Sequence, residues 1–387
     1  FFRFFHMSWR LATTLSHLQP SLGRAISTTA AANGDLLFDE FSVTKRVTLN
    51  RPKGLNTLTL DMCKELIPFY QAYGQQHPAV ILLRGTGDKA FCAGGDVKAI
   101  WASKQLQKDF FFHEYQMNYL ISQLPVPHVA IYRGIVMGGG VGISIHGSHR
   151  IATETSLFAM PETAIGLFPD VGGSWVLPRL MQDQPSLGMY LGLTGARLRG
   201  FDLKEAGVAT HFVPSDKLPA LEDALCGLTP ADCPSDPGRM KDLVNDIISS
   251  FEVTSGDCSL AAHWDQIFSC FGAGSVEEIL ERLREDGSDW AVKTVDELAK
   301  MSPTSLKVTF EALRRGAALH DIRATFEMEY TITQHLMRDG ADFFEGVRAK
   351  LVDKDQNPRW SPSRLQEMTD VAHYFQPGPG HQTWGPA

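Results

Sequence analysis

Short apolar runs alternate with helically spaced ones through the first half of the chain. "FSVTKRVTLNRP" reads as a strand closed by Pro52, and "LTLDMCKELIPFYQAY" repeats its apolar residues at helical spacing. "AVILLRG" (Ala79 to Gly85) is a buried strand ending in glycine, and "DVKAIWASKQ" is helix-like. The alternation then repeats: "HVAIYRG" (His128 to Gly134) predicts another buried strand. "GGGVGISIHG" predicts a glycine-rich turn entering a helix, and "HRIATETSLFAM" a return to extended chain. Consecutive strand, turn and helix units define an α/β architecture in which successive units stack.

From about residue 186 the spacing becomes mainly helical, in "LGMYLGLTGARLRGFDLKEAG", "SVEEILERLRED", "WAVKTVDELAKM" and "PTSLKVTFEALRRG". "LTPADCPSDPGRM" (Leu228 to Met240), rich in Pro and Asp, predicts a surface linker. The expected organisation is a catalytic α/β core over residues 35–220 and a helical region over 221–387. Residues 1–34 differ from both. They carry Arg3, Arg10 and Arg24, many Ser and Thr, and no acid before Asp35, which is the composition of a mitochondrial transit peptide.

Composition narrows the function. A formal charge of −8 leaves no basic stripe for a nucleic acid backbone, and no apolar run approaches the roughly 20 residues that cross a bilayer. The 6 cysteines lack the short paired spacings of a zinc site and the density of a disulfide scaffold, which points to a reducing compartment. Ser144, in "GISIHG", lacks the glycine spacing of a nucleophile elbow, and no Walker loop or dinucleotide fingerprint is present. His146 and His149 have no third ligand nearby in sequence and read as ordinary helix-end histidines.

Two glycine-rich turns, "FCAGGD" (Phe91 to Asp96) and "MGGGVG" (Met137 to Gly142), have few side chains to obstruct their amides. One N–H from each can be aimed at a single carbonyl oxygen as an oxyanion hole. The same glycines also suit positive φ or close backbone packing, and spacing alone favours that reading.

"MPETAIGLFPDVGG" (Met160 to Gly173) sets Glu162 and Asp170 among apolar residues, Gly and Pro. Pro161 and Glu162 fit a helix start, and Asp170 fits the N-cap of a helix beginning near Val171. Desolvation beside Met160, Ile165, Leu167 and Phe168 would raise the carboxyl pKa values, which suits acid or base work near neutral pH. Both readings stand at this level.

The ordered segments "NRPKGLNTLT", "KAFCAGGDVK", "GIVMGGGVGIS", "FAMPETAIGLFPDVGG" and "LTGARLRGFDLKEAGVATHFV" resemble the crotonase (enoyl-CoA hydratase/isomerase) superfamily. "KMSPTSLKVT" and "EGVRAKLVDKDQNPRW" extend the resemblance to a thioester-hydrolysing branch, and the similarity runs from about Phe38 to Trp360. It implies a spiral of ββα units followed by helices that cover the site or mediate assembly into a homo-oligomer. It also implies an acyl-CoA substrate, a place in mitochondrial valine breakdown, and no metal or redox cofactor.

By resemblance the oxyanion donors are the backbone N–H groups of Gly95 and Gly139. Glu162 is the principal acid/base or nucleophile, Asp170 a second catalytic and substrate-contacting group, and Glu114, in "FFHEYQMNYL", a substrate-binding glutamate. A solvated helix-face glutamate is the alternative for Glu114. Lys53 and Lys98 invite CoA phosphates but read equally as surface lysines.

Hydratases of the superfamily carry a second glutamate two residues after the glycine triplet, where this chain has Gly142. That departure disfavours a hydratase or isomerase on the same fold. The intact set of Gly95, Gly139, Glu162 and Asp170 disfavours a non-catalytic CoA-binding scaffold.

Overall fold

In the segment "VILLRG" every second residue faces a different core. Ile81 and Leu83 pack with Ala130 and Tyr132 into the main core, while Val80 and Leu82 pack with Val129 and Ile131 into a second one. Such strands are buried on both faces, so their sequences are apolar without alternation. The computed structural model describes residues 34–386 except 74, 75, 77, 78 and 104. The transit-peptide expectation therefore lies, but for Gly34, outside the described residues.

Among the described residues ten strands form two sheets: β1 (Leu36–Glu40), β2 (Thr44–Leu49), β3 (Val80–Gly85), β4 (Ala90–Cys92), β5 (His128–Tyr132), β6 (Ile135–Met137), β7 (His149–Ala152), β8 (Leu157–Ala159), β9 (Leu198–Arg199) and β10 (His211–Phe212). The larger sheet runs β1-β2-β3-β5-β7-β10 and the smaller β4-β6-β8-β9. From β2 to β10 the large sheet is parallel, with Leu82 opposite Val129 and Ile131 opposite Ile151; β1 closes it antiparallel to β2. From β3 to β8 each turn of the chain thus passes from a longer strand in the large sheet to a short strand in the small one to a helical segment, which is the expected spiral of ββα units.

Helices Leu218–Cys226 and Pro237–Ser249 cover the outer face of the large sheet through Leu221, Leu225, Met240, Val244 and Ile248. The linker expected over 228–240 ends early, because Asp236 caps the second of these helices by accepting from the Gly238 amide.

Three later helices matter for the site: Pro303–Ala318, Ile322–Leu336 and Asp342–Val347. Ser302 caps the first through the Ser305 amide, and its own N–H donates to the Thr163 carbonyl at 3.1 Å. Its hydroxyl donates to Asp342 at 2.6 Å. These bonds fasten the C-terminal helices onto the turn that begins at Glu162.

Candidate active site

Strands β4 and β6 pair in parallel and end together, so the glycine turns that follow them lie side by side. A Cβ on Gly94 would stand 3.7 Å from the Gly139 amide, and one on Gly139 would stand 3.1 Å from the Gly95 amide. Gly138, at φ 48, turns the chain into the helix Gly139–Ile145, whose first amides have no helical acceptor. Among the described residues, neither the Gly95 nor the Gly139 amide donates to a backbone acceptor in these turns. Two free N–H groups therefore share one small space.

Two carboxylates face that space. Glu114, on the helix Leu106–Ser122, is buried, and its Oε1 occupies the position where a Gly139 side chain would begin. The solvated helix-face reading of Glu114 is thereby excluded. Glu162 opens a 3-10 turn, Glu162–Ile165, after Pro161 as its composition predicts, and its Oε1 lies 3.0 Å from where a Cβ on Gly138 would stand. Glu114 Oε1 and Glu162 Oε2 are buried with no hydrogen-bond partner, so both point at space a ligand would fill. Lys53 and Lys98 are exposed.

Asp170 does not cap a helix as its sequence context predicts. The helix Gly173–Val176 starts two residues later than expected, with Gly172 in the cap position, and the Asp170 carboxylate turns inward. There it accepts the Tyr115 hydroxyl at 2.7 Å. The cap is supplied from far along the chain by Glu329, on the helix Ile322–Leu336, which accepts from the Gly172 amide at 2.7 Å and the Ser174 amide at 2.9 Å.

Between them Val171 is held at φ 54, a left-handed conformation that disfavours β-branched residues and stores roughly 1–3 kcal/mol. His146 donates its Nε2–H to the Val171 carbonyl at 2.8 Å and fixes this turn. Burial lowers the His146 pKa to about 4, so the ring stays neutral in this role. His149 lies in β7 rather than at a helix end, and its ring stacks on His211. Among the described residues no three His, Cys, Asp or Glu are grouped to hold a metal ion.

Desolvation dominates the electrostatics. It pushes Glu162 well above the usual carboxylate range, with the Asp170 charge adding to the effect. It does the same to Glu114, reinforced by Asp170 and Glu162. Asp170 rises to about 7 by burial, restrained by the hydrogen bond from Tyr115, and Glu329 to about 8, restrained by its two amide donors. Carboxyl groups arranged this way exchange protons near neutral pH.

The position two residues beyond the glycine triplet is closed. A Cβ on Gly142 would stand 2.6 Å from Val171 Cβ and 2.8 Å from Asn118 Nδ2, so no longer side chain fits there. Asn118, one turn along its helix from Glu114, is fully buried, and neither amide atom of its side chain has a partner. Tyr115, Asn118, His146 and Glu329 had not been singled out as site residues by their sequence context.

Paired amide donors, buried acids and the ββα spiral define an acyl-CoA enzyme of the crotonase type. The chain belongs to the enoyl-CoA hydratase/isomerase family, whose profile matches residues 44–375. It is 46% identical over 355 residues to 3-hydroxyisobutyryl-CoA hydrolase, mitochondrial, of Xenopus tropicalis, covering 89% of each chain. It is 45% identical over 380 residues to the Gallus gallus protein of that name, covering 95% of this chain and 94% of that one. A solved carnitinyl-CoA dehydratase from Mycobacterium thermoresistibile is 34% identical and superposes with a TM-score of 0.81, covering 91% of this chain and 99% of the other.

Proposed function

We propose that the chain hydrolyses the thioester of 3-hydroxyisobutyryl-CoA to 3-hydroxyisobutyrate and free CoA, in the mitochondrial matrix and in valine breakdown. The observation that carries this reading is that Glu162 lies against the Gly138 turn that presents the Gly139 amide, its Oε1 3.0 Å from where a Cβ on Gly138 would stand and its Oε2 buried with no hydrogen-bond partner. The Gly95 and Gly139 amides hold the thioester oxygen as negative charge builds on it; each such donor typically contributes about 3 kcal/mol.

Glu162 then acts in one of two ways. Either its oxygen bonds to the carbonyl carbon as the C–S bond breaks, giving a mixed anhydride that water opens, or it takes a proton from a water that attacks directly. In both, Asp170 delivers the proton that the departing thiolate needs. A single turnover in oxygen-18 water tests for the anhydride: label in the Glu162 side chain marks an anhydride opened at the Glu162 carboxyl carbon, whereas opening at the acyl carbon leaves the side chain unlabelled, as direct attack does.

Glu114 and Asn118, one turn apart on the helix Leu106–Ser122, are buried polar groups beside the Gly139 and Gly142 positions. Asn118 offers a donor and an acceptor to the hydroxyl of the acyl chain. Hydration of an enoyl-CoA would need a second acid near Gly142, where Asn118 and Val171 fill the space.

The test is free-thiol release by the purified chain from 3-hydroxyisobutyryl-CoA, isobutyryl-CoA and crotonyl-CoA, beside hydration of crotonyl-CoA. Rapid cleavage of the hydroxylated ester with negligible hydration is expected. Hydration faster than cleavage would overturn the assignment.

A further inference from the structure

Hydrolysis of a thioester at neutral pH consumes one water and yields a thiol, a carboxylate and one proton. Here that proton arises among Glu114, Glu162 and Asp170, all buried, with Glu329 behind them. It must reach solvent before the acids are reset.

One hydrogen-bonded path leads away from them. Asp170 Oδ2 accepts from Tyr115 Oη at 2.7 Å, and Tyr115 Oη is 2.8 Å from Thr333 Oγ1. Thr333 lies one turn beyond Glu329 on the same helix face and lines a cavity of about 300 Å³. The cavity sits between the start of the helix Leu106–Ser122, the end of the helix Ile322–Leu336 and residues 379–381, and Lys108, Arg338 and Asp339 at its rim are exposed.

We infer that Tyr115 and Thr333 form a proton relay that connects Asp170 to water in this cavity, an assignment that rests on the hydrolase reading above. Hydroxyls suit the task because each donates one proton while accepting another. For an outgoing proton, Asp170 passes it to Tyr115 Oη, Tyr115 releases its own to Thr333 Oγ1, and Thr333 releases its own to a cavity water. The O–H bonds broken and formed are equal in number, and rotation of the two hydroxyls restores the start. Tyr115 stays un-ionised throughout, since burial and the neighbouring Asp170 and Glu329 hold its phenol far above its ordinary pKa.

The test follows thiol and proton release together, by stopped flow with a thiol reagent and a pH indicator in weak buffer, on the full enzyme with 3-hydroxyisobutyryl-CoA. The native chain should release protons in step with thiol. Thr333→Val, which removes the hydroxyl and keeps the shape, should make proton release lag behind thiol and enlarge the solvent isotope effect on kcat. Thr333→Ser should restore both.

Protons leaving Thr333→Val in step with thiol, at the native isotope effect, would overturn the relay, as would a Thr333→Ser variant that lags as much as Thr333→Val. A native chain that releases no thiol would sink the hydrolase reading instead, so the two failures are distinct.

Discussion

The two sides of the candidate site are made in opposite ways. The donor side is backbone: Gly95 and Gly139 lie where β4 and β6 end side by side, and paired strands fix their amides with no side chain involved. The acid side is a strained turn held by side chains from three distant segments. Tyr115 bonds the Asp170 carboxylate, His146 bonds the Val171 carbonyl, and Glu329 caps Gly172 and Ser174. The donor side is consequently sensitive to any added atom but indifferent to distant change. The acid side tolerates small local change and depends on remote residues.

The largest effect is expected from Glu162→Gln, which keeps volume and removes the reactive carboxylate. We expect kcat to fall by about 10³-fold with CoA-ester binding retained in calorimetry; unchanged turnover would remove Glu162 from the chemistry. Gly139→Ala probes the donor side. Its methyl group would collide with Glu114 Oε1 and crowd the Gly95 amide, so kcat should fall by roughly 10²-fold with little loss of melting temperature.

Glu329→Gln probes the acid side from a distance. An amide cannot accept from both Gly172 and Ser174 through two oxygens, and one buried N–H is left unpaired at about 1–3 kcal/mol. A kcat loss near tenfold should accompany a lower melting temperature. Loss of activity without loss of stability would show that Glu329 acts on the chemistry and not on the turn.

The same contrast explains what could be read in the sequence. β3 and β5 were legible because strands buried on both faces are continuously apolar, and the glycine turns because their composition is unusual. β8 lies inside the run read as extended over residues 149–160, whereas β4 and β6, at 3 residues each, are too short for any period to show, and β1, "LLFDE", mixes apolar and acidic residues.

Glu162 and Asp170 stood out by their apolar neighbours, but the direction of Asp170 depends on a tyrosine 55 positions away. A signal for the missed residues did exist. Phe326, Glu329, Tyr330 and Thr333 lie on one buried helical stripe, as do Phe110, Glu114, Tyr115 and Asn118 on another. A carboxylate inside an apolar stripe is either paired or functional, and that reading needs only the helical period.

The smallest effect concerns stability against pH, and it also separates the two sides. Asp170, at about 7, and Glu114 and Glu162, raised well above the ordinary range, hold protons in the folded chain that the unfolded chain gives up near pH 4. Stability from these groups is present at low pH and is lost as pH rises toward their folded values. The buried histidines work the other way. His128, His146 and His149 are lowered to about 3, 4 and 4, so folding loses stability as pH drops below the unfolded histidine value of about 6.5. Above pH 6.5 the histidines are largely neutral in both states and the acids dominate, so the melting temperature of the ligand-free chain should decline from pH 6.5 to pH 8.5. Glu162→Gln should flatten the decline, because it removes one buried acid and relieves Glu114 of a neighbouring charge. Gly139→Ala adds and removes no titrating group, so its curve should run parallel to the native one. A native melting temperature that climbs steadily between pH 6.5 and 8.5 would mean that the acids are ionised in the folded chain, and the proton chemistry assigned to Asp170 would fall with it.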